Sequence, residues 1–208
     1  WTPTATGHIR GRACSLGHSS GRRVVNGRSS LAVRRVPTLA EPDLAPEFKR
    51  VVAVAVRWGW NEVGRRWPDI IADGHEEEIT ERLHWVLNEL DEQNRRTAPG
   101  LELFETVGRG SKVPTSDGRI EKAPDLVFRP LDRRGVRNLT DWGLFVECKI
   151  VNAMVRHHSA SFYCEKGVAR FVTGEYARRM PSGTLLAFVR DRSSPHSTLR
   201  PLLNTDYA

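Results

Sequence analysis

Glu147 and Lys149 stand two residues apart in the run Leu144-Phe145-Val146-Glu147-Cys148-Lys149-Ile150. That run reads as a strand, and a period of two puts the carboxylate and the ammonium on one face, with Val146, Cys148 and Ile150 on the other. A paired acid and base is an unusual choice for a face that only packs. Asp125 lies 22 residues earlier, directly after Pro124, at the start of a second apolar run, Leu126-Val127-Phe128. A hairpin between the two runs would bring the Asp125 and Glu147 carboxylates alongside each other. Two carboxylates converging at strand ends form a hard-oxygen site suited to Mg²⁺, which keeps several of its waters and can meet a phosphodiester oxygen. Lys149 then has chemistry to do: it can orient or deprotonate an attacking water, or stabilise charge developing on the phosphate. The competing structural reading is that Asp125 caps a turn while Glu147 and Lys149 form a surface ion pair of little energetic weight.

Other elements must hold these residues in place. Residues 75–95 carry Ile79, Leu83, Val86, Leu87 and Leu90 at helical spacing, Asp73-Gly74 just before them, and Glu76, Glu77 and Glu78 in the first turn, where the helix dipole favours acids. Counting 100° per residue, Glu76 lies near the apolar stripe, while Glu77, Glu78 and Glu81 point away. Residues 101–107 read as a strand, 125–128 as a second, 144–150 as a third and 183–189 as a buried fourth. Residues 161–172 form a helix with Phe162, Val168 and Phe171 inward. The expected order is helix, strand, strand, strand, helix, strand, an α/β arrangement with a mixed central sheet between helices. The apolar run 48–58 is compatible with a helix or a buried strand. Trp58, Trp60 and Trp67 are expected to pack rather than to form a base-stacking platform.

Pro124-Asp125 followed by Glu147-Cys148-Lys149, with an acidic helix before them, resembles the PD-(D/E)XK nuclease superfamily. The resemblance covers about residues 75–190, and it implies a restriction-endonuclease-like αβββαβ core. It further implies that Asp125 and Glu147 bind a divalent metal, Mg²⁺ with Mn²⁺ as substitute, and that Lys149 assists the nucleophilic water. An acid of the first helix, Glu76 with Glu77 as the next candidate, completes the site. The activity implied is metal-dependent endonucleolytic cleavage, chiefly of DNA with RNA as the other candidate, in a restriction or phage-defence setting; a repair or junction-resolving nuclease is an alternative role. A homodimer or a partner protein would supply specificity. The alternative of another class is a non-catalytic nucleic-acid-binding or assembly module on the same fold.

The letters alone do not select this site. Pro42-Asp43 and Glu47-Phe48-Lys49 satisfy the same pattern, but Asp43 and Glu47 are too close in sequence to sit on two paired strands. On the later helix, Tyr163, Lys166 and Arg170 would lie near the site and could reach phosphates, or could simply be a solvated face. The segment Arg170–Met180 resembles stretches that follow the catalytic lysine in some bacterial nucleases of this type, but no chemical role is legible in it. Adjacent His157 and His158 diverge unless the backbone turns, so they make a poor metal pair. Gly108-Arg109-Gly110-Ser111-Lys112 lacks P-loop spacing, though it could touch a DNA backbone. Cys148 is expected to pack as a small apolar residue.

The chain has 208 residues and a net charge of +7. Residues 1–40 contain seven arginines and no acid, so the remaining 25 basic residues balance the 25 acidic ones and the body is neutral. Residues 1–46 therefore read as an Arg-rich, flexible arm and linker that adds salt-sensitive affinity for nucleic acid. Residues 47–208 read as one domain. The chain's 39% apolar content is enough for a core, and no run is long enough to span a membrane. Three cysteines without CxxC spacing fit a reducing setting such as a bacterial cytoplasm better than a disulfide framework or a zinc knuckle.

Overall fold

The computed structural model describes residues 6–10, 40–110, 123–173, 176–177 and 179–202. Pro46 at the first helical position, Glu47 in the first turn and no breaker for twenty residues give α1 (Pro46–Arg66). Val52, Ala55, Gly59, Trp60 and Val63 form its buried stripe, so the helical alternative for 48–58 is the correct one. The short α2 (Pro68–Asp73) turns the chain into α3 (Glu76–Leu87). Arg190 fixes that corner: Nε donates to Ile71 O at 2.9 Å, and Nη2 reaches Ile70 O and Gly74 O. A cation thus takes up carbonyls at the end of α2 and sets where α3 begins.

Helix α3 is shorter than the 75–95 expected. The side chain of Asp91 accepts from Gln93 N–H at 2.9 Å and Arg95 N–H at 2.8 Å, and Asn94 takes φ 57°. Local side-chain bonding of this kind competes with helix and closes a turn instead. Asn88 finishes the helix by pairing with the Val107 backbone in both directions, at 2.9 and 3.0 Å.

The central sheet consists of β2 (Leu126–Phe128), β3 (Leu144–Val151) and β4 (Ser182–Val189), with β1 (Thr6–Arg10) antiparallel to β4, in the order β1-β4-β3-β2. Strands β2 and β3 are antiparallel with Leu126 opposite Val146. Strands β3 and β4 are parallel with Glu147 opposite Leu185. A parallel pair needs a crossover, here α4 (Ala160–Tyr163), a π turn (Cys164–Val168) and α5 (Ala169–Val172), helical throughout. The architecture is mixed α/β. One sheet face packs Val146, Cys148, Ile150, Leu186 and Phe188 against α1 and α3, with Trp60 stacked on Phe188 at 5.0 Å. The other packs Val151, Leu185 and Ala187 against Tyr163, Cys164 and Val168.

Two expectations change here. Residues 101–107 run beside β2 but form no regular strand: Leu101–Leu103 is a 3-10 turn, and Phe104 and Gly108 make isolated antiparallel bridges to Pro130 and Val127. The register slips by one residue between those bridges, the signature of a bulge, and Pro130 has no N–H to donate. The end of the expected linker is also fastened down. Leu44 is buried, Glu41 N–H donates to Arg179 O at 2.8 Å, and Asp43 accepts from Ser182 Oγ at 2.7 Å. Within the arm, Thr6–Arg10 form β1, so Arg10 is the only one of its seven arginines among the described residues.

Two glycines let the crossover helix lie close to β4. A Cβ on Gly167 would stand 2.7 Å from Leu185 Cδ2, and one on Gly183 would stand 2.4 Å from the Phe171 ring. Gly183→Val is therefore expected to cost about 1–3 kcal/mol by overpacking and to push α5 off the sheet. Urea denaturation of the variant checks this.

Candidate active site

The site forms where β3 outruns β2. The antiparallel ladder ends at Leu126–Val146, so beyond it the β3 edge groups of Cys148 and Ile150 have no strand partner. Unpaired backbone groups of this kind need a partner, and two carboxylates provide it. Asp125, one step past the ladder, accepts from Cys148 N–H through Oδ2 at 2.7 Å. Glu76, in the first turn of α3, accepts from Ile150 N–H through Oε2 at 3.1 Å. Lys149 lies over the same edge, with Nζ donating to Cys148 O at 2.7 Å.

Lys149 joins the acids. Its Nζ is 2.6 Å from Glu76 Oε1 and 2.8 Å from Glu147 Oε1. Glu147 is 2% exposed and so differs from the surface ion pair of the competing reading. Burial, reinforced by the neighbouring Asp125 charge, pushes its pKa up to about 7 against the pull of Lys149 and Arg170. Lys149 is also buried, which disfavours its charge, but the Glu147 and Glu76 carboxylates outweigh that and raise its pKa. The lysine is thus an ammonium at any ordinary pH. Desolvation raises the Asp125 pKa too, with the Glu76 charge adding to it, against the Cys148 hydrogen bond and Lys149.

The four expected site residues, Glu76, Asp125, Glu147 and Lys149, therefore come together from three separate elements. Of the first-turn acids, Glu76 is the one whose carboxylate meets Lys149 Nζ and Ile150 N–H. Glu81 instead faces Arg109 at 3.5 Å. Cys148 is fully buried on the α1/α3 face. His157 and His158 stand in a 3-10 turn with ring centroids 6.0 Å apart and perpendicular planes. Of the three residues singled out on the crossover helix, only Arg170 reaches the site, with Nη1 3.4 Å from Glu147 Oε1. Tyr163 belongs to the second core, and Lys166 pairs with Glu165. Tyr176, whose hydroxyl donates to Glu147 Oε1 at 3.5 Å, was not legible in sequence because it lies beyond the helix, in a reversal that periodicity does not reveal. In the loop 108–112, Ser111 and Lys112 lie outside the described residues.

The donor chemistry bears on the metal that the resemblance implies. Both oxygens of Glu76 have protein partners, and among the described residues no group of three or more His, Cys, Asp or Glu side chains converges on one point. Asp125 and Glu147 remain as two hard-oxygen donors, the ligand type that Mg²⁺ takes but fewer than a dedicated protein cage supplies. Among the described residues no helix is long and apolar enough to cross a membrane. No family model, curated protein or solved structure significantly matches the chain.

Asp125→Asn gives a test of the site's electrostatics. The Asn oxygen can still accept from Cys148 N–H, while the charge that burial disfavours is gone. The folded-state pKa of Asp125 lies above its ordinary value, so wild type is at its best, relative to the variant, below that ordinary value. It loses ground as pH rises through the raised one. The variant is expected to melt at a higher temperature than wild type at pH 8, with the gap closing near pH 4, in thermal scans at both pH values.

Proposed function

We propose that the chain is a Mg²⁺-dependent endonuclease of restriction-endonuclease-like fold, hydrolysing phosphodiester bonds, most readily in DNA, in a restriction or phage-defence setting. The observation that carries this reading is the convergence of Asp125, buried Glu147 and Lys149 at the unpaired β3 edge, with Glu76 anchoring the lysine. A structural role alone would not require a buried carboxylate beside an ammonium, its pKa raised by burial to about 7; perturbed groups of this sort cluster at functional sites.

In this mechanism Asp125 and Glu147 would hold the divalent cation, which would supply Lewis acidity and offset negative charge on the phosphodiester. Lys149 acts as a hydrogen-bond donor, because an ammonium flanked by two carboxylates has no capacity to take a proton. It orients the attacking water and stabilises charge that develops on the phosphoryl oxygens. Glu76 holds Lys149 in place and, through Ile150 N–H, ties α3 to the strand. The cluster sits at the end of a sheet whose far edge is β1, and the Arg-rich arm adds sequence-independent affinity.

The engagement of both Glu76 oxygens and of Lys149 within the protein favours a second reading, in which the cluster only caps a strand end in a non-catalytic nucleic-acid-binding module. Incubation with supercoiled plasmid, single-stranded DNA and RNA in Mg²⁺ or Mn²⁺, with chelator as control, separates the two. The nuclease reading expects metal-dependent nicking or linearisation. Binding without cleavage in either metal would favour the module.

A further inference from the structure

The geometry points to Arg170 and Tyr176 as a positioning pair that holds the Glu147 carboxylate in its reactive orientation. The inference rests on the nuclease reading above and assigns it two residues outside the acid–lysine cluster. Arg170 Nη1 donates to the Tyr176 hydroxyl at 2.6 Å and lies 3.4 Å from Glu147 Oε1, and the Tyr176 hydroxyl donates to that same oxygen at 3.5 Å. Lys149 Nζ meets this oxygen at 2.8 Å. Three donors from three places in the chain, β3, α5 and the segment after α5, therefore end on one atom of one buried carboxylate.

The pair is itself well fixed. Tyr176 is 3% exposed, its ring stands edge-on to Phe171 at 5.6 Å, and the Arg170 guanidinium lies 5.4 Å over its ring. Tyr176 N–H donates to Arg170 O at 3.1 Å, a bond across six residues that folds the chain back so that the two side chains meet. Phe171 in turn rests on Gly183, where a side chain would not fit. A planar guanidinium and a phenol each have few ways to move once packed, so together they restrict rotation of the carboxylate about its last bonds. A hydroxyl that accepts from a cation is polarised and donates more strongly to the carboxylate beyond it. The two long contacts to Glu147 are of a kind that shortens when a site takes up its ligand. Neither residue need touch the substrate: misplacing a reacting or ligating group by about an ångström costs about a hundredfold in rate, and preventing that is the pair's role.

The test uses the full chain with Tyr176→Phe, Arg170→Gln, Arg170→Lys and the Tyr176→Phe/Arg170→Gln double variant, read by Mn²⁺ titration and by plasmid cleavage with kcat and KM separated. Tyr176→Phe loses one hydroxyl and is expected to fold normally, with kcat down about tenfold and KM for DNA unchanged. Arg170→Gln is expected to lose about a hundredfold and Arg170→Lys to recover part of that. The double variant should be no worse than Arg170→Gln, because residues acting as one unit are not additive. If wild type binds Mn²⁺ and cuts, but Tyr176→Phe cuts as fast or the two losses multiply, the pairing is overturned while the nuclease reading stands. If wild type neither binds Mn²⁺ nor cuts, both are overturned.

Discussion

Glu147→Gln is expected to reduce phosphodiester cleavage by about a thousandfold while leaving the protein folded. The fold does not need the charge. Glu147 is almost wholly buried, and its pKa is pushed up to about 7, so near neutral pH the carboxyl already spends part of its time protonated. Gln has the same shape and keeps an oxygen able to accept from Lys149, Arg170 and Tyr176. Lys149 retains its 2.6 Å contact with Glu76. What the variant loses is an anionic oxygen donor for a divalent cation. A plasmid-cleavage time course beside a thermal melt reads both properties. Cleavage at the wild-type rate by a folded variant would remove Glu147 from the chemistry.

Lys149→Met is expected to lose cleavage to a similar degree and also to show a stability deficit that depends on pH. The sign follows from the Glu147 carboxyl, whose folded-state pKa is already raised, so that its favourable contribution is greatest below its ordinary value and declines as pH rises towards 7. Lys149, with its pKa raised by the two carboxylates, stays charged throughout this range. Removing the ammonium lifts the Glu147 pKa further, so the folded variant binds more protons than folded wild type above about pH 7. Its relative stability must then fall with pH, by about 1.4 kcal/mol per unit, until the new pKa is passed. The ceiling is the roughly 3–5 kcal/mol typical of breaking a buried pair. Below pH 7 the Glu147 carboxyl is largely protonated in both proteins, and the difference narrows to packing and the lost Lys149 contacts with Glu76 and Cys148 O, which the variant lacks at either pH. Urea denaturation at pH 6 and pH 9 measures this; an equal deficit at both values would mean that Lys149 does not hold the Glu147 charge.

Much of the site was legible because strand periodicity and antiparallel pairing are short-range rules. Glu147 and Lys149 share a face because they are two apart, and Asp125 meets the end of β3 because a hairpin-like pairing of the two apolar runs brings it there. Glu76 was reachable by helical counting from the Ile79/Leu83 stripe. Arg170 was a candidate among three, since the helix could be placed but not its rotation relative to the sheet, which depends on Gly167 and Gly183 allowing a close approach. Tyr176 was beyond reach: its position comes from a chain reversal closed by the bond to Arg170 O. The fold was less legible where side chains compete with backbone hydrogen bonding. Asp91 and Asn94 ended α3 early, and Pro130 with a one-residue slip broke the strand expected at 101–107. The linker reading failed over 40–45 because composition says nothing of Leu44 entering the core or of Asp43 meeting Ser182.

Titration of Mn²⁺ into wild type, Asp125→Asn and Glu147→Gln, with the free ion followed by electron paramagnetic resonance in the presence of DNA, tests the central claim most directly. Wild type is expected to take up the ion and each variant to leave it free in solution. Uptake that is equal in all three proteins, or absent from wild type, would contradict a metal held by Asp125 and Glu147.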